Sequence, residues 1–375
     1  MARKSVRWIS EGSDLSAAIA GIGSGPLAMD TEADSFHHYR DKVCLVQLSF
    51  GGTDLLVDPL AGLDVVPLGP VLDDAGVRKI LHGADYDLRI LHRDFGFTVR
   101  GLFDTMIAAR LVGERAFGLA ALLRKFLGVR LDKKFQRADW SQRPLTDEME
   151  GYAVEDTRHL NALAERLEQR LTDLGRAEWA EEEFRRVEAV RWAERDRGEA
   201  LARVKGSGRL DRRDRAVLGE LFELRDRIAR SKDVPPFRVL RDEQLVALAR
   251  SRPREVAAIG AIGALPRSWR EGRGARQLVA AVEAGLAIPD DRLPATAARR
   301  KKGQDPALET RLRRLCKARD RLARALDLEP SVLASRVQLE QLLSARERGS
   351  EPSGTNPLRR WQAAVLRPAL EAAAP

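Results

Sequence analysis

Cysteine, tyrosine and histidine are scarce in this chain: 2, 3 and 5 of 375 residues. Cys44 and Cys316 stand far apart in the chain, so a disulfide is not expected and a reducing compartment, the cytoplasm, is. The histidines form no His-Glu-x-x-His and no zinc-ligand spacing with the cysteines. No Gly-x-x-x-x-Gly-Lys-Ser/Thr loop is present, so a nucleotide-driven motor is not expected. No apolar run reaches the length that crosses a bilayer, and none follows Arg3, Lys4 and Arg7, so neither a membrane span nor a secretory signal is expected.

Charge, by contrast, is plentiful and uneven. Residues 1–200 hold 28 Lys+Arg against 34 Asp+Glu, a net of −6; residues 201–375 hold 37 against 22, a net of +15. An acidic front joined to a basic back suits a polyanion held by one and processed by the other, although Arg-rich helices that only solvate a bundle have the same composition. The length calls for two or three domains.

The front is organised around Leu27-Ala28-Met29-Asp30-Thr31-Glu32, read as an apolar strand ending in two acids. Strand side chains alternate, so Asp30 and Glu32 share a face and repel each other unless a cation lies between them. Taken alone, the pair could equally be a solvated strand end. Two further stretches add to it. His82-Gly83-Ala84-Asp85-Tyr86-Asp87 supplies Asp87 just after a second apolar strand, and Tyr152-Ala153-Val154-Glu155-Asp156 sets Tyr152 and Asp156 one turn apart on a helical face.

These three segments, in this order, resemble the exonuclease motifs of the tyrosine-bearing subclass of the DEDD superfamily, and most of all the ribonuclease D family. Arg93-Asp94-Phe95-Gly96 and Phe103-Asp104-Thr105 are also similar to the nuclear exosome-associated relative. The resemblance spans about residues 20–170. It implies a ribonuclease H-like α/β exonuclease domain, a mixed sheet flanked by helices, where the sequence pattern itself gives only α/β. It further implies a metal-dependent 3′-to-5′ exoribonuclease that trims tRNA precursors and other small structured RNAs. Two divalent ions are implied, with Mg²⁺ expected and Mn²⁺ the alternative. Asp30 is the implied bridging ligand, Glu32 and Asp156 complete the ion that carries the attacking water, and Asp87 serves the second. The rivals are a DNA exonuclease of the same superfamily and a non-catalytic RNA-binding protein.

Four separated acids can hold such a pair of ions where Asp-x-Glu alone cannot. Tyr152, whose phenol ordinarily titrates at about 10, is too weak an acid to be an efficient base at neutral pH and is expected to orient the water. Asp104 is expected to cap the helix that follows it rather than to bind metal. His82 is expected to end a strand without ligating. Lys133, Lys134 and Arg143, in a segment resembling the one before the third motif of ribonuclease D-like enzymes, are candidate phosphate contacts. Thr146 is expected to cap the helix carrying Tyr152.

Elsewhere in the front, Val6–Ile9 reads as an edge strand and Val43–Phe50 with Asp54–Asp58 as a meander; helices are expected over 62–75 and 114–130. Residues 161–204 read as a solvated connecting helix, and Lys205-Gly206-Ser207-Gly208 as a linker. Beyond it Arg225-Asp226-Arg227-Ile228-Ala229-Arg230 recurs as Arg319-Asp320-Arg321-Leu322-Ala323-Arg324, and Asp233, Pro236, Gln244, Leu245 and Leu248 recur at the same offset of 94. A shared offset at separated positions argues for duplication. The first copy resembles the helicase-and-ribonuclease-D C-terminal (HRDC) domain; the second, with Ser331 where Phe237 stands, is degenerate. The expected layout is an exonuclease domain over 1–204 and two all-α HRDC-type domains over 208–288 and 307–375. The linker 289–306 carries the basic tract Ala298–Gly303, either phosphate-binding or a charged tether. A monomer is expected.

Overall fold

The computed structural model describes residues 6–23, 25–194, 196–260, 262, 265–294, 306–347 and 357–371. It resolves into two compact units, one made of residues 1–34, 42–192 and 304–375 and the other of 35–41 and 193–303.

The first unit is built on a six-stranded sheet. Its strands are β1 (Val6–Ile9), β2 (Leu27–Ala33), β3 (Val43–Phe50), β4 (Thr53–Val57), β5 (Lys79–Leu81) and β6 (Leu102–Asp104), in the spatial order β1-β4-β3-β2-β5-β6. β3 has every residue buried, as its run of Val, Cys, Leu and Phe requires of a strand covered on both faces. β2 runs antiparallel to β3 and parallel to β5, so it lies in the middle of the sheet. Its register breaks between Glu32 and Ala33, where a bulge ends the regular pairing just after the second acid.

One face of this sheet is covered by the helix Asp147–Arg158, whose Met149, Ala153 and Val154 pack with Leu45, Leu56 and Trp140. Thr146 caps it by accepting from the Met149 N–H at 3.2 Å, as expected. The region read as one solvated connecting helix is instead three helices, Leu160–Asp173, Ala177–Glu188 and Arg197–Arg203. The first two are core elements that bury Leu163, Leu167, Leu171, Phe184 and Val187. Their charged residues alternate with this apolar stripe, which dense Glu and Arg had obscured. β6, three residues long, was also not expected; the expected helix over 62–75 shrinks to Leu68–Asp73 and that over 114–130 to Leu119–Leu127.

The duplication is visible in the backbone. Helices Arg212–Ser231, Pro236–Val239 and Asp242–Ser251 recur as Pro306–Ala325, Pro330–Leu333 and Arg336–Glu347. The Arg225 guanidinium donates to Leu240 O at 3.2 Å, and Arg319 donates to Ala334 O at 2.6 Å. The Gln244 side chain accepts from Arg241 N, and Gln338 accepts from Ser335 N. Asp233 and Asp327 both take the left-handed backbone, at φ 46° and 51°.

The expected domain order does not match these units. Residues 306–371 lie within the first unit, where Ala323, Leu328, Val332, Leu333 and Trp361 share the core that holds the sheet. Trp361 stacks on Trp179 at 4.7 Å, and Glu182 accepts from the backbone N–H groups of Arg360 and Trp361. The break before the second unit falls at residues 192–193, not at Gly206, whose neighbour Ser207 is buried and caps a turn through Ala202 O. The second unit has its own core around Leu218, Leu221, Leu245, Leu248 and Leu278. The basic tract 298–303 lies outside the described residues.

Candidate active site

Asp30 and Glu32 emerge on one face of β2, and the helix Asp147–Arg158 brings Asp156 to them: one carboxylate oxygen from each of the three lies within 4.8 Å of the others. Asp87 joins from the first turn of the helix Asp85–Phe95, where it is buried and accepts a hydrogen bond from the Thr31 hydroxyl. Thr31 was not singled out in the sequence. It sits between the two strand acids, and its hydroxyl holds the fourth.

Burial and mutual repulsion hold these groups away from the ordinary carboxylate range. Asp30 is raised well above it, first by burial and then by the charges of Asp87, Asp156 and Glu32; Glu32 is raised by burial and by Asp156 and Asp87. Burial pushes Asp87 up to about 6 and Asp156 up to about 7, with a hydroxyl contact from Tyr152 partly offsetting the latter. An acid cluster that resists ionisation on its own is one whose charges a cation could stabilise. The donor set, carboxylate oxygen throughout, fits a hard divalent ion.

Tyr152 projects from the same helix one turn before Asp156 and packs edge-on against Phe135, with ring centroids 5.8 Å apart. Its phenol is raised still further above its normal value by burial and by Asp156, Glu32 and Asp30, so it keeps its proton. A cavity of about 410 Å³ opens beside it, lined by Arg130, Lys134, Phe135, Tyr152 and Asp156 among others.

Asp104 does more than cap a helix. Its carboxylate accepts from Met106 N and Ile107 N, and also from Gly83 N and Ala84 N, so it holds the turn that leads into Asp87. His82 bonds to the Thr105 hydroxyl at 2.9 Å and is absent from the metal-capable group. The three candidate phosphate contacts part company. Lys133 is exposed, and Lys134 lines the cavity while paired with Glu148. Arg143 spends all five of its N–H donors on Asp58, Trp140 O, Gln142 O and Cys44 O. It anchors the segment before the Tyr152 helix and has no donor left for a phosphate, a commitment set by an aspartate 85 residues upstream.

With this geometry in place, the chain can be set beside known proteins. A family model described as 3′-5′ exonuclease matches residues 6–172, and an HRDC domain model matches residues 214–282. The chain is 34% identical to ribonuclease D of Jannaschia sp., over 91% of this chain and 89% of that one. It is 32% identical to ribonuclease D of Gluconacetobacter diazotrophicus, over 88% and 84%. The crystal structure of Escherichia coli RNase D, described as an exoribonuclease involved in structured RNA processing, superposes with a TM-score of 0.78 at 27% identity, covering 98% of each chain. The catalytic core of RRP6 from Trypanosoma brucei superposes with a TM-score of 0.62 at 28% identity, covering 76% of this chain and 81% of that one.

Proposed function

The chain belongs to the ribonuclease D family and is a 3′-to-5′ exoribonuclease, and from that premise we propose that it trims the 3′ ends of tRNA precursors and other small structured RNAs, releasing nucleoside 5′-monophosphates. The observation that carries the reading is the convergence of Asp30, Glu32 and Asp156, with Asp87 contributing to the same electrostatic cluster. These four side chains are the residues that would hold two divalent ions, Mg²⁺ in the first instance. Bound there, such ions supply an activated water, neutralise the phosphate and stabilise the leaving oxygen.

The protein's own groups have distinct tasks in this scheme. Thr31 holds Asp87, and Asp104 holds the turn before it. Burial and the neighbouring acids favour the protonated phenol of Tyr152, so in this scheme its hydroxyl donates to the attacking water and orients it. The cavity beside it falls in the range of about 300–1,000 Å³ that holds small ligands, which suits the 3′-terminal nucleotide. Lys133 and Lys134 remain the phosphate contacts in this reading; Arg143 does not. In the second unit Phe36 and Phe237 meet edge-on at 6.4 Å, and 42% and 49% of their surfaces are exposed, an arrangement on which unpaired bases could stack. Among the described residues no helix is long and apolar enough to cross a membrane. A monomer working in the cytoplasm completes the proposal.

The test is a labelled tRNA precursor and a DNA strand of the same sequence, each with Mg²⁺ or with EDTA. Stepwise shortening of the RNA from its 3′ end, only with Mg²⁺ and with 5′-monophosphates as products, is expected. Preferential loss of the DNA would support the superfamily rival, and no hydrolysis of either would leave an RNA-binding protein.

A further inference from the structure

Gln47 is a side chain the mechanism above does not use. It lies in the middle of β3, directly opposite Asp30 of β2 in an antiparallel pair. Directly opposed residues of such a pair point to the same side of the sheet, with Cβ atoms about 4.5–5.5 Å apart. The Gln47 side chain therefore stands on the face that carries Asp30 and Glu32. It is fully buried, and neither its Oε1 nor its Nε2 has a hydrogen-bond partner among the described residues.

A buried amide left without partners destabilises the fold that holds it. Its neighbour in the same row shows how the chain avoids that cost elsewhere. Ser49, two residues along, donates to Asp54 at 2.7 Å and bonds to Thr157 at 2.8 Å, and Asp54 is paired with Arg158. A leucine of nearly the same volume would fill the place of Gln47 without an orphaned group.

We propose that Gln47 is a positioning residue for Asp30: its amide N–H donates to the Asp30 carboxylate when that carboxylate engages a divalent cation, and so fixes its orientation. The proposal rests on the reading of Asp30 as a metal ligand. Gln47 stands directly across the pair from Asp30, and its amide has no other partner among the described residues. Groups that orient a metal ligand in this way are worth about 10–100-fold in metal affinity.

The experiment measures Mn²⁺ affinity by calorimetry on the full chain without RNA, together with urea stability in EDTA. Gln47→Leu is expected to weaken Mn²⁺ binding by about 10–100-fold while leaving metal-free stability equal or higher, because it removes an unsatisfied polar group. A merely structural glutamine would give the reverse pattern, with stability lost and affinity kept. Gln47→Asn, which retains the amide one methylene shorter, is expected to fall between wild type and Gln47→Leu, and it serves if the leucine variant does not fold. Asp30→Asn is the control. If it leaves Mn²⁺ affinity unchanged, the reading of Asp30 fails; if it weakens binding while both Gln47 variants bind as wild type does, the proposal for Gln47 is overturned.

Discussion

Two copies of one helical module diverge in what surrounds them. Each keeps the arginine that donates to a carbonyl fifteen residues on and the glutamine that caps the next helix. Each also keeps an aspartate in the left-handed region. In the second unit Asp233 bonds His38 at 2.7 Å and Tyr39 N at 3.1 Å, and Arg230 lies over the Tyr39 ring. In the first unit Asp327 pairs with Arg115, and its carbonyl lies where a Cβ on Gly113 would come within 2.5 Å. So the same corner of the module grips a different loop in each case. The second copy has gone further, because Trp361, Val332 and Leu333 are part of the core that supports the sheet. Duplication preserved the module's internal bonds, and its outward face was free to change.

That contrast can be broken most directly at Trp361. Trp361→Ala should cost about 3–5 kcal/mol, the usual loss for a large buried aromatic, and should carry the exonuclease unit with it. Arg267, at the same offset in the first copy, is 93% exposed, and Arg267→Ala should stay within about 0.5 kcal/mol. Urea unfolding of the full chain compares them; equal effects would show that the second copy is no more integrated than the first.

The shared arginines sharpen the comparison. Arg319→Ala and Arg225→Ala should each cost about 1–3 kcal/mol, the scale of a charged donor's lost bond. Only the Arg319 variant should lower the melting point of RNA hydrolysis, since only its module is continuous with the sheet's core. A parallel loss in both would count against that division.

Phe237 and Ser331 separate the copies by chemistry rather than packing. If exposed Phe237 stacks a base, Phe237→Ala should weaken single-stranded RNA binding by about 1–3 kcal/mol, whereas Ser331→Ala should not change it. Fluorescence anisotropy in EDTA, at one fixed salt concentration, reads both.

A smaller effect distinguishes the units by pH. Burial lifts Asp87 to about 6 and Asp156 to about 7, above the value of roughly 3.9 for an unfolded chain. Between those values the folded unit holds protons that the unfolded chain has released. These groups therefore contribute stability that is present below about pH 4 and lost as pH rises to about 7. The metal-free first unit should lose stability over that range, and Asp156→Asn should reduce the loss. A pH dependence unaltered by that substitution would contradict the raised values.

Much of the site could be read from the chain because it depends on local rules. Alternation in β2 placed Asp30 and Glu32 together, and helical spacing placed Tyr152 one turn from Asp156. Their convergence with Asp87 came from the family resemblance, not from spacing. What escaped was set by distant partners. Arg143 looked like a phosphate ligand until Asp58 claimed its guanidinium. Gly206 looked like a linker because a glycine-rich turn reads the same whether it joins domains or closes a corner. The docking of the second copy depends on Glu182 and Glu183 meeting residues 359–361, almost half the chain away, which no local pattern records.

We propose that the acid cluster performs the hydrolysis. The most direct test is single-turnover trimming of a 5′-labelled single-stranded RNA by the wild-type chain and by Asp30→Asn at saturating Mg²⁺, with urea stability measured alongside. No detectable shortening by Asp30→Asn is expected, with a metal-free stability equal to or above wild type, since one of four mutually repelling acids is gone. Turnover by the purified, folded variant at near wild-type rate would contradict that proposal.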